Sequence, residues 1–154
     1  MREAKAASRL SHPNIVKVFD FGTTESGEMY LVMEHLKGAP LHDILAQEKT
    51  LHPTRAASLL SQVCEGLSEA HQHRVVHRDL TPSNIFVARS GDGRDEFCTV
   101  LDFGIAHTQS ADGTTKLTLT GAVLGTPQYM SPEQTMGDEI TAQSDIYSMG
   151  IVLY

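Results

Sequence analysis

Apolar and polar positions follow two rhythms along the chain, and each predicts its own kind of element. From Thr54 to His73, the apolar residues Ala57, Leu60, Val63, Cys64, Leu67 and Ala70 recur every three or four positions, the spacing of an amphipathic helix with one core face. Ile15 to Phe21 (IVKVFDF) and Met29 to Leu36 (MYLVMEHL) are short and apolar, and the Gly- and Glu-bearing GTTESGE separates them. That predicts a hairpin. Asn84 to Arg89 (NIFVAR) and Phe97 to Phe103 (FCTVLDF) flank RSGDGRDE and predict two further short strands joined by a turn.

Weaker signals fill the rest. Arg2 to Leu10 is Ala-rich with alternating charge and predicts a helix ended by the Ser11-His12-Pro13-Asn14 turn. Gly38-Ala39-Pro40 breaks the pattern before LHDILAQ, a short helix. His107 to Leu124 is rich in Thr, Gly and Ser and reads as a flexible surface loop. Pro127 and Pro132 bracket a turn region, and from Ala142 a helical spacing runs to Tyr154. That helix closes on MGIVLY without a cap or polar exit, so a covering element is expected.

The stretch Val75 to Val87, VVHRDLTPSNIFV, changes the picture from fold to chemistry. Its apolar ends have strand composition, so its middle reads as a Pro-stiffened loop between two buried strands. His77, Arg78 and Asp79 sit on this loop, with Asn84 five positions beyond the Asp. Rigidly mounted loops commonly carry function. An ordinary polar turn, with Asp79 as a capping acid and Asn84 in an Asx turn, is the plainer alternative.

Composition narrows the classes. At 154 residues, 40% apolar and 20% charged, the chain suits one globular domain. Its formal charge of −7 has no long run of one sign, which argues against nucleic acid and anionic membranes as partners. Cys64 and Cys98 are read as small buried hydrophobes in a reducing compartment. With no membrane span or signal peptide in this segment, the expected location is cytoplasmic.

Three more motifs accompany HRDLTPSN: Asp102-Phe103-Gly104 after a strand, GTPQYMSPE from Gly125 to Glu133, and SDIYSMG from Ser144 to Gly150. In order and spacing they resemble the catalytic loop, metal-binding DFG, activation-segment end and following helix of eukaryotic-type protein kinases. GTPQYMSPEQ is most similar to bacterial serine/threonine kinases. SHPNIVKVFDFG and LVMEHL extend the likeness to the fourth and fifth strands and the hinge of that family.

The resemblance implies an α+β, bilobal, protein-kinase-like fold, present in part. Residues 1–36 would be an N-lobe remnant with the hinge, and residues 37–154 a C-lobe reaching the helix after the activation segment. It implies ATP and Mg²⁺ as cofactors and a protein with a Ser/Thr acceptor as substrate. A second kinase copy for trans-autophosphorylation is a further expected partner. The parent protein is open to a membrane anchor outside this segment.

Roles carry over residue by residue. Asp79 would be the base, His77 would support the loop, and Asn84 and Asp102 would hold Mg²⁺. Arg78 would meet a phosphate on the activation loop, for which Thr118 and Thr120 are placed best, with Thr114 and Thr115 nearby. Thr126 would contact the catalytic Asp and line the substrate site. Met33 would precede the hinge, Glu34 and Leu36 would offer backbone groups to adenine, and Phe86 would lie beneath the ring; for the apolar ones, plain core packing is the competing reading. Asp145 would anchor the catalytic loop, and Val18, Ala7, His77 and Phe103 would stack as an internal spine. Glu3 matches the family's helix Glu, and Glu133 the Glu whose Arg partner this sequence lacks.

Two departures stand out. No Gly-rich loop and no strand Lys accompany Glu3: Gly22, Gly27 and Gly38 do not build a GxGxxG, and Lys5 and Lys17 fall on the wrong elements. A fragment of about half to two-thirds of a kinase domain, with impaired catalysis, is therefore expected. Thr81 occupies the position where serine/threonine kinases usually carry a Lys that neutralises the transferring phosphate. Two other functions compete: a pseudokinase or binding module that does not transfer phosphate, and a zinc hydrolase built on His71, His73 and His77.

Overall fold

The computed structural model describes residues 10–89, 95–103 and 126–154. Two antiparallel sheets and four helices form it. Strands β1 (Val18–Thr23) and β2 (Met29–Met33) make the first sheet, with Val18 opposite Met33 and Thr23 opposite Met29. Strands β3 (Ala39–Pro40), β4 (Ile85–Arg89) and β5 (Glu96–Val100) make the second, in that order.

The expected first strand, Ile15 to Phe21, begins three residues later than the sequence suggests. Asn14 to Val16 are drawn to the second sheet instead: Val16 N–H donates to the Val100 carbonyl at 2.9 Å and Val100 N–H to that of Asn14 at 2.8 Å. Ile15 and Val100 form an isolated parallel bridge, and Ile15 and Val16 are buried. β2 stops at Met33, short of the expected Leu36.

Helix α1 (Leu41–Glu48) follows β3, and α2 (Pro53–Gln72) is the long amphipathic helix. Pro53 suits the first turn, where its missing N–H is no loss, and His52 caps it by accepting the Thr54 N–H. The buried stripe of α2 is Leu59, Leu60, Val63, Gly66, Leu67 and Ala70. This corrects the expected face at two positions, because Ala57 and Cys64 are exposed. The helix is turned so that Gly66 lies on the Asn14 backbone, an approach that only a residue without Cβ permits. Cys98 is buried as expected, which pushes its thiol up to about 12.

Val75 and Val76 do not form a strand, contrary to their composition. The chain is still finishing α2 there: Val75 N–H returns to the Ala70 carbonyl at 2.9 Å, and Arg74 takes φ 60°. β-Branched content was overridden by a helix termination. Only the far side of the HRD loop is a strand, entered through the single turn Pro82–Asn84.

After Phe103, the described chain resumes at Thr126 with the short turn Pro127–Tyr129, then α3 (Pro132–Met136) and α4 (Ala142–Leu153). The core gathers the α2 stripe, Leu80, Ile85, Val100 and Phe103, with Met149 of α4 against it. Ile146, Tyr147, Leu153 and Tyr154 are exposed. The helix expected over Arg2 to Leu10, apart from buried Leu10, and the loop His107 to Leu124 lie outside the described residues.

Candidate active site

The HRD loop is held from below by one carboxylate. Asp145, 1% exposed on the first turn of α4, accepts the His77 N–H on Oδ2 and the Arg78 N–H on Oδ1, both at 2.9 Å. His71 Nε2 donates to Oδ2 at 2.7 Å. Three donors on a buried carboxylate compensate its lost hydration. The anchor role expected of Asp145 has this geometry, and His71 is an addition to it. His71 reads in sequence as the end of a helix, and its partner lies 74 residues away.

His77 is fully buried, and its ring is oriented by two contacts. Nε2–H donates to the Leu101 carbonyl at 2.7 Å, and Nδ1 accepts the Asp79 N–H at 3.3 Å. Burial pushes the imidazole below its ordinary pKa, against the opposing pull of Asp145, so the ring is neutral. Phe103 packs on it with ring centroids 4.9 Å apart, two members of the expected spine in contact. Ala7 lies outside the described residues.

Asp79 and Asn84 are joined directly. Asn84 Nδ2 donates to the Asp79 carbonyl at 2.7 Å and approaches Asp79 Oδ2 at 3.5 Å. With its NH₂ group committed there, the amide oxygen is the atom Asn84 can offer a cation. The Asn84 carbonyl accepts the Leu101 N–H at 2.9 Å, and Ile85 pairs with Val100, so the hairpin brings Asn84 to the doorstep of Asp102. Asp102 is exposed and holds φ 52°. Hard oxygen donors on Asn84 and Asp102 fit Mg²⁺ and suit a softer metal poorly. Among the described residues no group of three or more His, Cys, Asp or Glu is placed to hold a metal. His73 instead pairs with Glu69 at the end of α2.

Arg78 sits at φ 70°. It and Asp79 line one narrow crevice with Thr126, Tyr129, Met130 and Gln134, which brings the expected substrate-site Thr to the expected base. Thr81 is buried. Glu133 finds a partner in Ser144, whose Oγ donates to Oε1 at 2.5 Å and holds the carboxyl below its usual range.

The hinge residues are placed less tightly. Glu34 N–H donates to the Lys17 carbonyl at 2.9 Å and its Oε1 accepts the Lys17 N–H at 2.7 Å. An adenine contact from Glu34 therefore falls to its carbonyl. Leu36 and Phe86 are half-buried. Met33 is 37% exposed, so core packing does not account for it among the described residues. Glu3, Thr114, Thr115, Thr118 and Thr120 lie outside the described residues.

Gln134 is a site residue that the sequence reading passes over. Its Nε2 donates to the Arg78 carbonyl at 2.5 Å while its Oε1 accepts the Ser131 N–H at 3.0 Å. The Ser131-x-x-Gln134 spacing is a capping-box signal, which announces the second contact but not the first.

Comparison with known proteins gives the family. The chain is 49% identical over 154 residues to serine/threonine-protein kinase pkn3 of Myxococcus xanthus, matching 99% of this chain and 28% of that protein. It is 42% identical over 156 residues to serine/threonine-protein kinase PknB of Mycolicibacterium smegmatis, matching 99% of this chain and 24% of that protein. The crystal structure of the Mycobacterium tuberculosis PknI kinase domain superposes with a TM-score of 0.78 at 26% identity, over 99% of this chain and 53% of that one. The protein kinase domain family matches residues 1–154, and the chain belongs to it.

Proposed function

We propose that this chain carries catalytic machinery for transferring the γ-phosphoryl group of ATP to Ser or Thr hydroxyls of a protein substrate. One observation supports the reading most: Asp79 and Asn84 are hydrogen-bonded on one loop, and the Asn84 carbonyl accepts the N–H of Leu101, the residue before Asp102. Asp79 orients the acceptor hydroxyl and takes its proton. Asn84 and Asp102 hold Mg²⁺, which neutralises phosphate charge when bound. Glu34 and Leu36 present backbone groups to adenine, Met33 and Phe86 flank the ring, and Thr126 lines the acceptor site next to Asp79. Thr118 or Thr120, phosphorylated by a second copy of the kinase, presents its phosphate to Arg78.

Thr81 favours a second reading, binding of nucleotide or a protein partner without transfer. It is buried and uncharged where the family usually carries a Lys.

Radiolabelled phosphate transfer to a generic Ser/Thr protein substrate, together with calorimetry for Mg²⁺-dependent ATP binding, separates the two. Weak transfer that Asp79→Ala abolishes, and Mg²⁺-dependent binding lost in Asp102→Ala, are the expected results. Transfer that survives Asp79→Ala overturns the assignment of the base. Binding without any transfer establishes the second reading.

A further inference from the structure

The peptide unit between Arg78 and Asp79 is gripped at both polar ends. Its carbonyl accepts Gln134 Nε2 at 2.5 Å, and its N–H donates to His77 Nδ1 at 3.3 Å. Arg78 itself holds φ 70°, a conformation unfavourable for a residue with a Cβ unless its surroundings impose it. Asp145 holds the N–H on one side of that residue, and Gln134 the carbonyl on the other.

The two ends of the Gln134 amide have opposite duties. Its oxygen accepts the Ser131 N–H at the cap of α3, and its NH₂ reaches the loop. The partners fix which end is which, since a carbonyl cannot donate and an N–H cannot accept. A Glu at this position would cap the helix equally well, but it would set a carboxylate oxygen against the Arg78 carbonyl. Of Glu and Gln, the two N3 residues of the usual capping box, only Gln serves both.

We propose that Gln134 is a positioning residue for Asp79: it ties α3 to the backbone on which Asp79 is mounted at the wall of the crevice. The proposal rests on the reading of Asp79 as the base. Without the amide donor, the Arg78–Asp79 peptide is free to tilt, and the carboxylate tilts with it. A misplacement of this kind slows chemistry far more than it weakens substrate binding.

Gln134→Glu isolates the donor, because it keeps the capping acceptor. At neutral pH the expected result is a fall in kcat of about 10- to 100-fold, with KM for ATP within about twofold of wild type. Hydrogen exchange at the Asp79 amide should accelerate while amides of α2 and β5 keep their protection. Gln134→Met, which loses both contacts, should additionally speed exchange at the Ser131 amide. Wild-type kcat together with wild-type exchange at Asp79 in Gln134→Glu overturns the proposal, as does a general loss of protection extending to α2. If the wild-type protein transfers no phosphate, the functional reading fails by itself, and the exchange comparison still decides whether Gln134 holds this peptide.

Discussion

Asp145 accepts the backbone N–H of Arg78 at 2.9 Å across 67 residues of sequence. The contact explains why an acid is buried on the first turn of α4. A loop whose residues depart from regular structure cannot satisfy its own N–H groups, and one carboxylate supplies acceptors for two of them. The loop that carries Asp79 is therefore shaped by a distant helix together with its own His77 and Asn84 side chains.

Asp145→Asn should lower stability by about 2–4 kcal/mol. The amide keeps one acceptor oxygen and turns an NH₂ toward a neighbour that is itself a donor, either a backbone N–H or His71 Nε2. Urea unfolding at neutral pH measures the change, and a midpoint matching wild type would refute the anchoring role. His71→Ala, which removes only the third donor from a carboxylate still holding two N–H groups, should have a smaller effect in the same assay.

Acidification should weaken the fold through His77. Its folded pKa lies below the ordinary 6.5 because burial disfavours the cation. The unfolded chain thus takes up a proton first as pH falls. Stability from the neutral ring is complete above about pH 6.5 and declines below it toward the folded pKa, with a slope of at most about 1.4 kcal/mol per pH unit. NMR titration of the ring provides the check: an imidazole that titrates at or above 6.5 in the folded protein would contradict the assignment. Glu96 and Glu133, whose carboxyls are held below their ordinary 4.5, lose their contributions only at lower pH.

Much of the site is legible in local sequence because hairpin geometry does the assembling. Once NIFVAR and FCTVLDF are recognised as paired strands, Asn84 and Asp102 must meet at the same end. The helix face of α2 is less legible. Apolar periodicity favours Ala57 and Cys64, while the residue that decides the rotation, Gly66, carries no hydrophobic signal and is selected by the closeness of Asn14. Val75 and Val76 mislead for a similar reason, since the end of α2 claims their backbone. The His71–Asp145 and Gln134–Arg78 contacts join residues far apart in the chain, and neither residue type announces its partner.

The two helix glycines should respond in opposite directions to Ala. At Gly150 a Cβ meets nothing within 4 Å, so Gly150→Ala should stabilise by roughly 1 kcal/mol through helix propensity. At Gly66 a Cβ would lie 2.9 Å from the Asn14 carbonyl oxygen. Asn14 has little room to retreat, because it is 2% exposed, its Nδ2 donates to the Cys98 carbonyl at 2.7 Å and its carbonyl holds Val100. Gly66→Ala should therefore destabilise by about 1–3 kcal/mol despite the propensity gain. Thermal unfolding of both variants is the measurement, and stabilisation by Gly66→Ala would show that the helix can shift away from Asn14.

Arg55 staples three elements together at the rim of the second sheet. Its Nε and one terminal nitrogen form a fork on Glu96 of β5 at 2.6 and 2.9 Å, and the other reaches Glu48 at the end of α1. The guanidinium holds the Glu96 carboxyl below its usual range, and Glu96 in turn raises the pKa of Arg55. Side-chain exposures of 23% and 17% leave the fork partly open to solvent, which limits its worth to about 1 kcal/mol. Arg55→Lys keeps the charge but cannot reproduce the planar fork, so most of that stabilisation should go with it. Denaturation of wild type and variant in low salt and in about 1 M salt separates the two contributions. A bidentate, half-buried pair should keep part of its advantage at high salt, whereas a difference that vanishes there would mean that Arg55 acts as an exposed point charge and not as a staple.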